Sequence, residues 1–129
     1  DRLAPTLAKI ENLAGLALAR IPELLRRQLI DVVIQVVDFP DDETMRQMAM
    51  RSPYAFLGMY YGIDLQQKSI GMVPDDIGMI FLYRRPLMDY WIESREDLSH
   101  LVRHVLIHEI GHHFGFSDAG MATIEDSGI

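Results

Sequence analysis

The chain has 129 residues, 49% hydrophobic and 24% charged, with a formal net charge of -7 and no cysteine. That composition fits one soluble globular domain over residues 1–129 and excludes a disordered tail, a disulfide framework and a thiolate metal site. The acidic balance is a poor footprint for a nucleic-acid binder, and no run approaches the roughly 18 apolar residues of a membrane span.

Leu3 to Arg20 reads as a first helix, with Leu3, Leu7, Ile10, Leu13 or Ala14, Ala17 and Leu18 recurring at spacings of three and four. Pro5 is tolerable in its first turn, and Pro22 separates it from a short helical stretch over Ile21 to Gln28. Asp31 to Asp38 is rich in β-branched residues and is followed closely by Pro40, which predicts a strand. Its residues are apolar on both faces except Gln35 and the ends, so burial on two sides is expected.

Asp41, Asp42 and Glu43 open a helix continued by Thr44 to Arg51, with Met45, Met48 and Met50 as adaptable core filler. Phe56 to Gly62 is a second strand, made short, bent or peripheral by Gly58 and Gly62. Ile63 to Met72 reads as loop and Val73 to Asp76 as turn. Ile77 to Arg84 is a third strand stopped by Pro86, and Leu87 to Ile92 forms a helical turn carrying Trp91.

The last helix is expected to begin near Ser94, with Asp97 completing a weak capping box. Leu98, Leu101, Val105, His108 and His112 then fall at spacings of three, four, three and four. A core-facing stripe thus runs into two histidines, which predicts that they are buried. Gly115 supplies a left-handed residue to end the helix and turn the chain back.

His108, Glu109 and His112 form H-E-x-x-H, and Asp118 follows six residues after His112. Side chains four apart share a helix face, so His108 and His112 can offer two imidazoles to one metal ion. Asp118 makes the third ligand of a catalytic zinc site, which needs three protein ligands and an open position. Glu109, rotated about 100° from His108, can act as general base on water without ligating the metal. His113 points elsewhere on the helix, to a supporting or surface role, and His100 and His104 read as solvated. Tyr60, Tyr61, Tyr83 and Arg84 are candidates to stabilise an oxyanion, weighed against simple packing in the sheet.

The stretch is similar to the extended zinc motif of metzincin-like peptidases, H-E-x-x-H-x-x-G-x-x-H, with Asp118 at the last position. An aspartate there resembles snapalysin-type zincins, and more closely the minimal zincin-like metallopeptidases of bacteria. Phe56 to Gly62, Pro74 to Ile77 and Leu82 to Leu87 also resemble that family, so the likeness covers roughly Phe39 to Asp118. The resemblance implies an α+β minimal zincin-like fold, with a three- to four-stranded sheet packed against helices that include the metal helix. It also implies one zinc ion on His108, His112 and Asp118, with Glu109 as general base. Met121 comes too soon after Asp118 to be the methionine turn of the larger metzincins. Eleven residues follow Asp118, so a shallow cleft is expected.

These readings converge on a zinc-dependent metallopeptidase acting on short or unfolded peptides. A zinc-stabilised binding or regulatory module without turnover, or a zinc hydrolase of a non-peptide substrate such as RNA, stands as the alternative. A monomer in the cytoplasm, with no nucleic-acid or membrane partner, is the expected setting. Asp1 stands where an initiator methionine would, which leaves room for an upstream segment.

Overall fold

The computed structural model describes residues 4–62 and 78–115. Thr6 caps helix α1 (Leu7–Ala19), its side chain accepting from the Lys9 N–H. Ile10, Leu13, Ala14 and Ala17, at helical spacing, form the buried face of α1. The short helix α2 (Glu23–Arg26) runs into a 3₁₀ turn over Arg27–Leu29. Strand β1 (Val32–Val37) follows, then helix α3 (Asp42–Gln47) and strand β2 (Gly58–Tyr61). Strand β3 (Gly78–Tyr83) leads directly into helix α4 (Arg84–Ser94), and helix α5 (Leu98–His113) carries the two histidines.

The three strands form a mixed sheet in the order β1-β3-β2. β1 runs parallel to β3, with Val32 opposite Gly78 and Val37 opposite Tyr83. β2 runs antiparallel to β3, with Gly58 opposite Leu82 and Tyr61 opposite Met79. The architecture is therefore α+β, as the sequence predicts. Val36, Ile80 and Leu82 face one shared core with α1 and α5. Leu101, Val102 and Leu106 of α5 close that core against Ile10, Leu13 and Ala14 of α1.

Burial of β1 is one-sided, contrary to expectation. Val33 is 48% exposed and Gln35 is exposed, while Val36 is buried and Ile34 packs against the core. β1 is an edge strand, and its apolar residues on the outer face do not all find cover. β2 is also an edge, as its two glycines suggest. The outer face is covered near β2, where Tyr61 stacks edge-on with Phe81 and shares a 2.7 Å hydrogen bond with Thr44 of α3. Phe81 in turn stacks on Tyr83. The ring and hydroxyl of Tyr61 are thus committed to packing.

Helix boundaries also differ, that of α1 among them: it starts at Leu7 after the Thr6 cap, so Pro5 lies outside its first turn. α3 stops at Gln47 rather than Arg51, because Ala49 takes a left-handed conformation at φ 51°. Pro86 does not end a strand run before a loop. It sits third in α4, where a missing N–H breaks no intrahelical bond, so the helix starts at Arg84. α5 begins after Asp97, whose carboxylate accepts from the His100 N–H, and Ser94 belongs to the end of α4. Arg95, at φ 60°, makes the tight joint between the two helices. Arg84 is likewise structural: it pairs with Asp38 at 2.6 Å and donates to the Pro5 carbonyl, tying the C-terminal ends of β1 and β3 to the start of the chain.

Two glycines test the packing in opposite senses. A Cβ at Gly58 would stand 2.9 Å from both the Phe81 carbonyl oxygen and Val105 Cγ1, whereas one at Gly15, in the middle of α1, meets nothing within 4 Å. Gly58→Ala is expected to lower unfolding free energy by about 1–3 kcal/mol in chemical denaturation. Gly15→Ala is expected to raise it by roughly 0.5–1 kcal/mol, since only the helix propensity changes.

Candidate metal centre

α5 is buried over most of its circumference. Leu101, Val102, Val105, Leu106, Ile107 and Ile110 are all buried, and Gly115, at φ 76°, follows its last turn as the sequence predicts. Steps of four residues advance about 40° around a helix, so a row of such steps drifts off the buried face. The row His100, His104, His108, His112 does so. His108 is half-buried and His112 is exposed, with His100 and His104 exposed as expected. The stripe therefore emerges at the histidines instead of burying them.

It emerges into a cleft of about 450 Å³ between α5 and β2, lined by His108, Glu109, His112, Tyr60 and Phe56 among others. A second hollow of about 250 Å³ lies beside it and shares Phe56, Gly58, His108 and Glu109. The ring centroids of His108 and His112 are 5.0 Å apart, with planes inclined at 81°. A metal-bound imidazole has its centre about 3.2 Å from the ion, so two rings on one tetrahedral ion stand about 5 Å apart. The separation of the two rings here matches that distance. Among the described residues no third group joins them to make a set of three potential ligands. Asp118, the third ligand inferred from sequence, lies outside the described residues, as does Met121.

Glu109 is only 7% exposed, yet it lines both hollows. Burial pushes its carboxyl up to about 7 from an ordinary 4.5, opposed by a hydrogen bond from the Tyr60 backbone N–H. The result is a carboxyl whose affinity for a proton is matched to neutral pH.

A family model for zincin-like metallopeptidases matches residues 29–128. The chain belongs to the zincin-like metallopeptidase family. A search of curated proteins finds no match. Membership accounts for the architecture described above, an α+β fold with a small mixed sheet, and implies zinc binding and hydrolase chemistry. Among the described residues, no helix is long and apolar enough to cross a membrane.

Sequence reasoning missed several residues of the zincin cleft. Met48 is no core filler: it is 47% exposed and lines the larger hollow. Phe56, also exposed, stands between the two hollows. Neither carries a ligand or acid-base group, so nothing in the residue type marks it. Of the oxyanion candidates, only Tyr60 lines the cleft. Tyr83 is fully buried, and burial pushes its phenol up to about 12. His113 is not at the surface either. It is 1% exposed, 2.9 Å from the Tyr60 hydroxyl.

The raised Glu109 carboxyl has a cost in the metal-free fold. A group whose folded pKa is raised stabilises most below its unfolded value, here 4.5, and loses that contribution as pH rises through about 7. Metal-free protein is therefore expected to lose stability between pH 5 and pH 8, on the order of 2 kcal/mol from this group. Glu109→Gln removes the titration. Its unfolding free energy in chelator is expected to fall less over the same interval, measured by denaturant titration at each pH.

Proposed function

We propose that the protein is a zinc-dependent metallopeptidase that hydrolyses peptide bonds in short or unfolded chains. The observation that carries the reading is the meeting of His108, His112 and a buried Glu109 in one cleft between α5 and β2. His108 and His112 would hold the ion, with Asp118 as third ligand from the H-E-x-x-H-x-x-G-x-x-D pattern. Zinc held in this way lowers the pKa of water in its open position and polarises a carbonyl oxygen.

The remaining chemistry belongs to the chain. Glu109 lies one residue from His108, so it faces the same cleft from a different angle around the helix. Its carboxylate takes a proton from the attacking water and returns it to the departing amine. In the metal-free fold burial raises its proton affinity, which favours proton transfer in both directions. The Tyr60 N–H donates a hydrogen bond to the carboxylate. Met48, Phe56 and Met59 give the cleft apolar walls. These suit apolar side chains of a peptide better than phosphates, and the net charge of -7 points the same way.

The test pairs metal content with cleavage of a peptide library. Wild type is expected to bind one zinc per chain and to cleave. His108→Ala and His112→Ala are expected to lose zinc. Glu109→Gln is expected to keep zinc while its turnover falls by about 10²–10⁴. Zinc binding without cleavage by wild type would instead favour a zinc-stabilised binding module.

A further inference from the structure

Beyond ligands and base, one buried polar contact reaches the site from behind. We propose that His113 is a positioning residue: its hydrogen bond to the Tyr60 hydroxyl holds β2 where the Tyr60 N–H meets the Glu109 carboxyl. Calling Glu109 the base rests on the metallopeptidase reading above, while the clamp itself rests on geometry.

The contact is built from three directions. His113 Nδ1 lies 2.9 Å from the Tyr60 hydroxyl, and Nε2 lies 3.4 Å from the Gln28 carbonyl oxygen. A carbonyl can only accept, so Nε2 donates to Gln28, and in the tautomer with its one ring proton there Nδ1 accepts from Tyr60. The rings meet edge-on, with centroids 5.5 Å apart. The imidazole is almost wholly buried, so its polar atoms need these partners.

Two glycines make room for it. A Cβ at Gly62 would stand 2.8 Å from the Tyr60 hydroxyl oxygen. One at Gly78 would stand 3.2 Å from the same oxygen and 3.3 Å from His113 Nδ1. The Tyr60 side chain is thus held by β3, by the last turn of α5 and, through the imidazole, by the 3₁₀ turn. Its backbone N–H, on the same residue, bonds to Glu109 four residues before His113. Both ends of Tyr60 are attached to α5, which sets the spacing of strand and helix at the carboxylate. Simple packing would need a ring of this size but not its nitrogen.

The full-length protein as purified carries the test. Tyr60→Phe removes one oxygen and keeps the ring. His113→Ala removes the acceptor, and His113→Asn puts an amide oxygen near the place of Nδ1. Tyr60→Phe and His113→Ala are each expected to speed hydrogen exchange of the residue-60 amide about tenfold. Each is also expected to lower peptide kcat about tenfold with KM unchanged. The double variant should be no worse than His113→Ala alone, and His113→Asn should recover most of both losses. Unchanged amide exchange in Tyr60→Phe, or losses that multiply in the double variant, would overturn the proposal. If wild type cleaves no peptide, the metallopeptidase reading falls, and amide exchange alone decides the clamp.

Discussion

The close approach of β2 to α5 is the constraint on which the site depends. Gly58 permits it, since a side chain there would press on both the Phe81 carbonyl oxygen of β3 and Val105 of α5. Backbone oxygen cannot yield cheaply, so the strand lies this near the helix only because residue 58 has no Cβ. The approach puts the Tyr60 N–H within reach of Glu109 and leaves that residue only 7% exposed. It also makes the cleft, whose one wall is β2 and whose other wall is the turn of α5 from His108 to His112.

Holding a carboxyl in so dry a place needs stabilisation from elsewhere, and α5 supplies it. Leu101, Val102 and Leu106 are fully or almost fully buried against α1 and the sheet. Each such side chain contributes about 1.5–3 kcal/mol relative to exposure. One or two of them offset the cost of burying Glu109. His108 and His112 lie on a more open flank of the helix. A ligand on that flank would meet the helix away from its packed face.

The parts of this fold legible in sequence are those set by local periodicity. The spacing of His108, Glu109 and His112 fixes a helix, two imidazoles on one flank and a carboxyl about 100° away, whatever surrounds them. The β-branched run at Val32 to Val37 likewise fixes a strand. What surrounds these elements is not local. Val33 is as apolar as Val36, and only sheet order decides which is covered. Pro86 reads as a stop in a strand and as a tolerated residue in a first helical turn, depending on where the helix starts. Met48 and Phe56 reach the cleft because of how α3 and β2 are placed, not because of their chemistry. His113 reads equally as a supporting or a surface residue beside a ligand until the partner 53 residues away is known.

The proton affinity of Glu109 is set by forces of opposite sign, and their balance explains why the cleft is built of apolar residues. The Tyr60 N–H favours the carboxylate. A cation held at His108 and His112 would favour it too, by simple attraction. Both would leave a weak base if nothing opposed them, because a carboxylate that is too well stabilised gives up little by staying unprotonated. Desolvation is the largest influence on Glu109 and the one that opposes them. Met59 and Val105, which line the hollows beside Glu109, give it apolar surroundings. A polar wall would form a better-hydrated cleft and a poorer base. The packing of strand against helix is thus part of the acid-base chemistry, although none of the residues that achieve it can carry a proton.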